Sequence, residues 1–218
     1  QVLVTTTVAA ATGTISTMVF TWIKNKKPDV SMTLNGSLAG LVAVTAGCAN
    51  IDVVGAFFIG LVAGILVDVA VEVIDKKLHV DDPVGAIAVH GVNGLWGTIA
   101  VGLFSTGINP VGDSAQKGLF YGGGFNMLGV QLLGVVCIAA WTILCMVILF
   151  QILKHTCGIR ASRIEEIEGL DKHEHGLVSA YANFAPVPLA AEMLDPDMTA
   201  DEGTAEEAPA EAPAPTEI

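Results

Sequence analysis

The sequence predicts an all-α fold, a polytopic membrane helix bundle with five transmembrane helices, and three observations lead there. Hydrophobic residues fill 52% of the 218 positions and charged residues only 15%, a balance outside the range of soluble domains. The apolar residues gather into five runs, each close to the roughly 20 helical residues needed to cross a hydrocarbon layer. These runs are continuously apolar, whereas the strands of a membrane barrel alternate polar and apolar at every second residue.

Taken in order, the spans fall at about 1–23, 31–49, 53–74, 84–104 and 128–153, within a transmembrane bundle of residues 1–156. The first lacks a basic beginning and runs directly into Lys24, Lys26 and Lys27, so it reads as a span and not as a signal peptide. The second and third carry Gly36 with Gly40 and Gly60 with Gly64, small residues one helical turn apart that let backbones approach closely. The third also holds Asp68 and Glu72 on one helical face. They serve either as proton acceptors or as interfacial partners of Lys76 and Lys77, and the second role is favoured. The fourth reads DDPVGAIAVHGVNGLWGTIAVGLF, with Asp81 or Asp82 placed to cap it and Pro83 suited to its first turn. The fifth is uncharged from Leu128 to Leu153.

Lys and Arg set the orientation, because loops on the cytoplasmic side retain them. Nine of the ten fall after the first, third and fifth spans, and only Lys117 falls on the other side. This predicts a multi-pass cell-membrane protein with its first residue outside and its carboxyl terminus cytoplasmic.

The net charge of −12 belongs to a tail. Residues 192–218 hold nine acids and no Lys or Arg, so residues 1–191 carry 10 − 13 = −3. No basic excess exists for a nucleic-acid partner. Cys48, Cys137, Cys145 and Cys157 form no CxxC pair and read as small core residues, so neither a metal site nor a disulfide framework is expected, and no cofactor is implied. Residues 157–184 form a polar, mixed-charge cytoplasmic segment, and 185–218 an acidic Pro/Ala/Glu-rich run that cannot bury a core and is expected to be disordered.

His90 is the single histidine inside an apolar run. Helical spacing aligns Pro83, Ala86, His90, Asn93, Gly94 and Gly97, so small side chains flank the imidazole and leave room beside it. A neutral imidazole offers one donor and one acceptor, which suits a small polar solute or a proton in transit. The alternative is a histidine bonded to a neighbouring carbonyl or to Asn93. An ionisable group within the membrane is a functional candidate by default, which puts the first reading ahead.

These residues resemble a known family. The run KLHVDDPVGAIAVHGVNGLWGTIAVGLF is similar to the tenth transmembrane helix of ammonium transporters of the Amt/Rh group. NGSLAGLVAVTAGCANIDVVGAFFIGLVAGILV resembles their eighth and ninth helices, and EGLDKHEHGLVSAY their cytoplasmic signature segment. The resemblance covers residues 1 to about 184 and implies helices 7–11 of an eleven-helix fold built from two inverted repeats and a last helix. It implies that His90 is the second of two pore histidines, that Ala86 lines the pore, and that Gly169, Leu170, Asp171, His175 and Gly176 belong to the regulatory segment. Leu177 departs from the pattern, standing where the signature often carries an acid. The first pore histidine and the external recruitment site belong to the half of the fold that this chain does not resemble.

The implied activity is ammonium or ammonia transport across the lipid bilayer, in a homotrimer, with a PII-type regulator as a possible partner at the inner face. Two other functions remain: an ammonium sensor acting through that regulator, and a proton-relay protein using Asp68, Glu72 and His90. No nucleotide-binding loop or nucleophile triad points to an enzyme.

Overall fold

The computed structural model describes residues 1–108, 116–168 and 170. The chain divides into two units, 1–148 and 149–218. The first unit contains α1 (Val2–Asn25), α2 (Val30–Thr45), α3 (Val53–Glu72), α4 (Asn93–Phe104) and most of α5 (Asn126–Thr156). Two π-helical segments interrupt this order, Val73–Lys77 after α3 and Ile87–Val92 before α4. Among the described residues there is no strand, only an isolated bridge between Thr106 and Lys117. The protein is thus a multi-pass, all-α membrane bundle.

Among the described residues, four helical stretches are long and apolar enough to cross a membrane: Val2–Asn25, Val53–Lys77, Ile87–Phe104 and Asn126–Thr156. The second expected span is shorter. Its helix stops at Thr45, where turns through Gly47 return the chain to Asp52, and 16 residues extend only about 24 Å. The fourth span begins later than the sequence suggests. Gly85 adopts φ +72°, which breaks the helix after Pro83, and the regular α-helical part starts only at Asn93.

The helix ends follow local chemistry. Asp29 caps α2 by accepting from the Met32 N–H at 2.9 Å, and Asp52 caps α3 by accepting from Gly55 N–H at 2.7 Å. α1 ends at Lys26 in the left-handed conformation, just ahead of Pro28. Within α1 the threonines are not wasted polarity. Thr5, Thr12, Thr14 and Thr21 each donate to a carbonyl in the preceding turn, which satisfies hydroxyls where water is absent.

The core lies where α1 meets α2 and α3. A Cβ added at Gly13 would strike the Gly36 carbonyl, one at Gly40 the Ala9 carbonyl, and one at Gly64 the Gly13 carbonyl and the Ser16 and Thr17 side chains. Backbone therefore rests on backbone, the contact that holds helices together when lipid supplies no hydrophobic drive. Thr17 locks it by donating across to the Gly64 carbonyl at 2.6 Å. α4 stacks on this core through Gly97 against the Ala43 backbone and through the Trp96 indole N–H, which donates to the Ile59 carbonyl at 3.1 Å. α5 buries none of its residues, so its apolar surface stays available to lipid or to other protein segments.

At the Asp52 end the loop after α4 is tied down. Thr106 donates twice to the Asn50 carbonyl, and the Tyr121 hydroxyl donates to Asp52 Oδ2 at 2.6 Å. Burial, and next the Asp52 bond, push the Tyr121 pKa from 10 up to about 12.

In the second unit, α5 ends at Thr156 with Gly158 in the left-handed conformation, and a short helix α6 (Arg163–Glu168) follows. Ser162 and Glu165 form a reciprocal capping box at its start. The expected acidic run 185–218 lies outside the described residues.

Two outcomes follow from this packing. Gly64→Ala should lower unfolding free energy in lipid bicelles by about 1–3 kcal/mol through overpacking against fixed backbone, whereas Gly134→Ala, which meets open space, should change it by less than about 0.5 kcal/mol. In a Tyr181→Phe chain the remaining tyrosine should ionise near pH 12 by ultraviolet titration, and Asp52→Asn should bring that midpoint down. Because the folded state holds this proton more tightly, the stabilisation is fully present below pH 10 and lost as pH rises through about 12. A midpoint at 10 in the Asp52 chain contradicts the bond.

Candidate functional site

Two cavities open on the α3–α4–α5 side of the first unit. The larger, about 590 Å³, is lined by Val54, Phe58, Val62, Trp96, Leu103, Phe104, Phe120 and Tyr121 and offers almost no polar chemistry. The smaller, about 380 Å³, lies between the π-to-α4 segment and α5. Its wall consists of His90, Gly91, Gly94, Leu95 and Thr98 facing Val135, Ile138, Ala139, Thr142 and Ile143. One imidazole therefore meets a mainly apolar space, with Thr98 and Thr142 as the other polar side chains.

Local structure puts the ring there. Asp82 Oδ2 accepts from the Ile87 and Ala88 N–H groups at 3.0 and 3.3 Å, so the aspartate caps the π segment across the Pro83–Gly85 turn. Gly91 and Gly94 add no side chain beside the ring, and a Cβ at Gly91 would meet only Ile87 at 3.6 Å. The His90 imidazole makes no hydrogen bond with another described residue; the Asn93 side chain instead donates to the Ala88 carbonyl at 3.0 Å. The alternative of a histidine tied to Asn93 or a carbonyl does not describe this arrangement.

The face expected from α-helical counting divides. His90 and Gly94 line the cavity, whereas Asn93 and Gly97 are buried in the core and are not part of its wall. Ala86 is exposed before the π segment and is not part of the cavity wall, and Pro83 lies in the preceding turn. Across the π segment the chain advances by a smaller angle per residue than in an α-helix, which opens the angle between His90 and Asn93, whereas Gly94 and Gly97 part within regular α4, where α-helical spacing itself sets them about 60° apart.

Asp68 and Glu72 do not line the His90 cavity. Lys24 of α1 reaches both carboxylates, at 2.6 and 2.8 Å, and Lys76 adds a 3.0 Å contact to Glu72. The expected pairing with Lys76 is found for Glu72 alone; Asp68 pairs with Lys24, which is the central cation, and Lys77 takes no part among the described residues. Sequence reasoning missed Lys24, although a signal existed: Lys24 ends the first span at the same membrane face where Asp68 and Glu72 end the third. Among the described residues, Asp68 and Glu72 line neither of these two cavities, so they share no wall with His90 there. Of the regulatory segment, Leu170 is described and exposed, while Gly169, Asp171, His175 and Gly176 lie outside the described residues.

Residues 1–180 match the Ammonium Transporter Family. The chain belongs to that family. Among relatives of this ammonium transporter family member, the ammonium transporter Amt2 of Archaeoglobus fulgidus is 44% identical over 192 residues, covering 85% of this chain and 40% of the relative. A putative ammonium transporter of Synechocystis is 38% identical over 175 residues, covering 79% and 36%. Among solved structures, a sensor Amt protein aligns with a TM-score of 0.69 at 35% identity, covering 79% of this chain and 41% of that one. Mep2 of Candida albicans aligns with a TM-score of 0.69 at 28% identity, covering 75% and 37%. The chain thus spans about two-fifths of the length of the family members it matches.

The ion-pair cluster has a measurable signature. Asp68 is only 7% exposed at its side chain, so Lys24→Met strands a buried carboxylate and should cost about 1–3 kcal/mol, less than the about 3–5 kcal/mol of a fully buried pair because Lys24 is partly exposed. Adding Asp68→Leu should restore most of that loss in a double-variant cycle; additive losses would contradict the pairing.

Proposed function

We propose that this chain supplies the histidine-bearing wall of an ammonium transport path, along which nitrogen passes as neutral ammonia. The observation that carries the reading is His90 standing unbonded at a cavity whose other walls are almost wholly apolar, beside Gly91 and Gly94. An ammonium ion entering such a space would lose its hydration without a compensating charge, which is prohibitive; ammonia is neutral and small. The imidazole donates or accepts one hydrogen bond, so the solute is held weakly enough to leave.

The rest of the assignment follows the family. The substrate is ammonium, deprotonated before passage, and the proton travels separately. The working unit is a homotrimer in the cell membrane, with the first residue outside and the carboxyl terminus in the cytoplasm, where a PII-type regulator docks near Gly169, Leu170, Asp171, His175 and Gly176. Ala86 lines the same path about one turn before His90 in the chain, on its cytoplasmic side. The protein acts as a transporter and not as an enzyme. A second reading, ammonium sensing, draws on the structural likeness to a sensor Amt protein.

The test is His90→Ala in the assembled transporter that carries this chain. Ammonium uptake should fall at least tenfold, or its discrimination against potassium should collapse, with the amount of folded protein unchanged. Uptake and discrimination both at the unsubstituted level would remove His90 from the mechanism. Loss of regulator response with uptake intact would favour the sensing role.

A further inference from the structure

We propose that Asn93 is a positioning residue for His90: its side-chain amide selects the π turn that carries the imidazole to the cavity. The inference deepens the transport reading and takes its functional weight from it, but its structural content stands on separate observations.

In a continuous α-helix the Ala88 carbonyl would accept from the residue four positions on, Val92. Here it accepts from the Asn93 backbone N–H, five positions on, and also from Asn93 Nδ2 at 3.0 Å. One side chain thus reinforces the same i+5 partner that defines the π segment Ile87–Val92. Both ends of this segment are fixed. Asp82 holds the Ile87 and Ala88 N–H groups before it, and Trp96 and Gly97 pin α4 to α3 and α2 after it. With the ends held, any reversion of the π turn to an α turn must rotate the residues between them, His90 included.

The direction of that rotation matters. Three residues at about 100° each would leave His90 and Asn93 only about 60° apart around an α-helix. A π turn advances less per residue and opens that angle, and here Asn93 is fully buried while His90 is at the cavity. A regular helix would swing the ring toward the core side occupied by Asn93.

Burial alone does not account for an amide at this position. Asn93 is 0% exposed and its Oδ1 has no hydrogen-bond partner among the described residues. A leucine of similar size would bury apolar atoms and orphan no acceptor. What leucine lacks is the donor to Ala88. π turns are enriched at functional sites, in keeping with a polar group retained for geometry at a cost in stability.

The experiment uses the full chain in lipid nanodiscs with ¹⁵N-labelled histidine, the His90 signal being assigned by its disappearance in His90→Ala. Asn93→Leu and Asn93→Ala should each move the His90 imidazole resonances and raise amide hydrogen exchange across 87–93 at least tenfold, while exchange in 97–101 stays unchanged. Val89→Ala, a cavity-forming change at a buried residue of the same segment, keeps the Asn93 bond and should leave the His90 resonances in place. If Asn93→Leu does not fold, Asn93→Ala decides by the same signal. Unmoved His90 resonances in the folded Asn93 variants, or an equal displacement in Val89→Ala, would overturn the proposal. Neither result depends on transport: if His90→Ala left uptake intact, the transport reading would fail while the Asn93 result stood.

Discussion

The close contact of the α1 backbone with α2 and α3 is the constraint on which the rest of the molecule depends. In lipid, leucine gains nothing by leaving the hydrocarbon for a protein interface, so helices must be held by dense packing and by hydrogen bonds across the seam. Gly13, Gly36, Gly40, Gly60 and Gly64 bring backbone and the small hydroxyl side chains of α1 into direct contact along that seam, and Thr17 supplies a bond through it. The resulting three-helix wall is what α4 leans on, through Gly97 at Ala43 and Trp96 at Ile59. His90 is carried just before that anchor. Its place at the cavity is therefore inherited from glycines far along the chain.

Charge is confined to the two ends of the wall and excluded from the space between. At one end Lys24 answers Asp68 and Glu72; at the other Asp52 both caps α3 and receives the Tyr121 hydroxyl. Each carboxylate that leaves water has a partner, as burial in a poorly polarisable medium demands. Between these ends the His90 cavity contains no acid to hold a cation in place. That separation is what makes a neutral solute the physically reasonable traveller on the proposed path.

Much of this was legible in the residues. Continuous apolar runs gave the helices to within a few positions at Val2–Asn25, Val53–Glu72 and Asn126–Thr156, because in a membrane backbone satisfaction leaves a long apolar run few alternatives to a helix. The pairs Gly36 with Gly40 and Gly60 with Gly64 announced the tight seam, though not which helix lay across it. His90 was legible because an imidazole is out of place in an apolar run. The arrangement around it was not. Face counting assumed a uniform helix and too broad a face, and Asn93 and Gly97 are buried in the core and not on the cavity wall beside the ring. Nothing in the composition of IAVHGVNG separates an i+5 from an i+4 pattern, since that choice is made by one amide bond and by anchors on other helices. The partner of Asp68 was misjudged for a related reason: neighbours in sequence, Lys76 and Lys77, were weighed before a residue of another helix.

The central claim is that the His90 ring borders the route of the solute. The most direct measurement is a structure of the assembled transporter containing this chain, solved in lipid, in which every wall of the His90 cavity is visible. The account predicts a continuous narrow passage with the imidazole, Gly91 and Gly94 on its surface and no carboxylate beside them. An imidazole turned to the acyl chains, or sealed among bulky side chains with no passage at its edge, would contradict it.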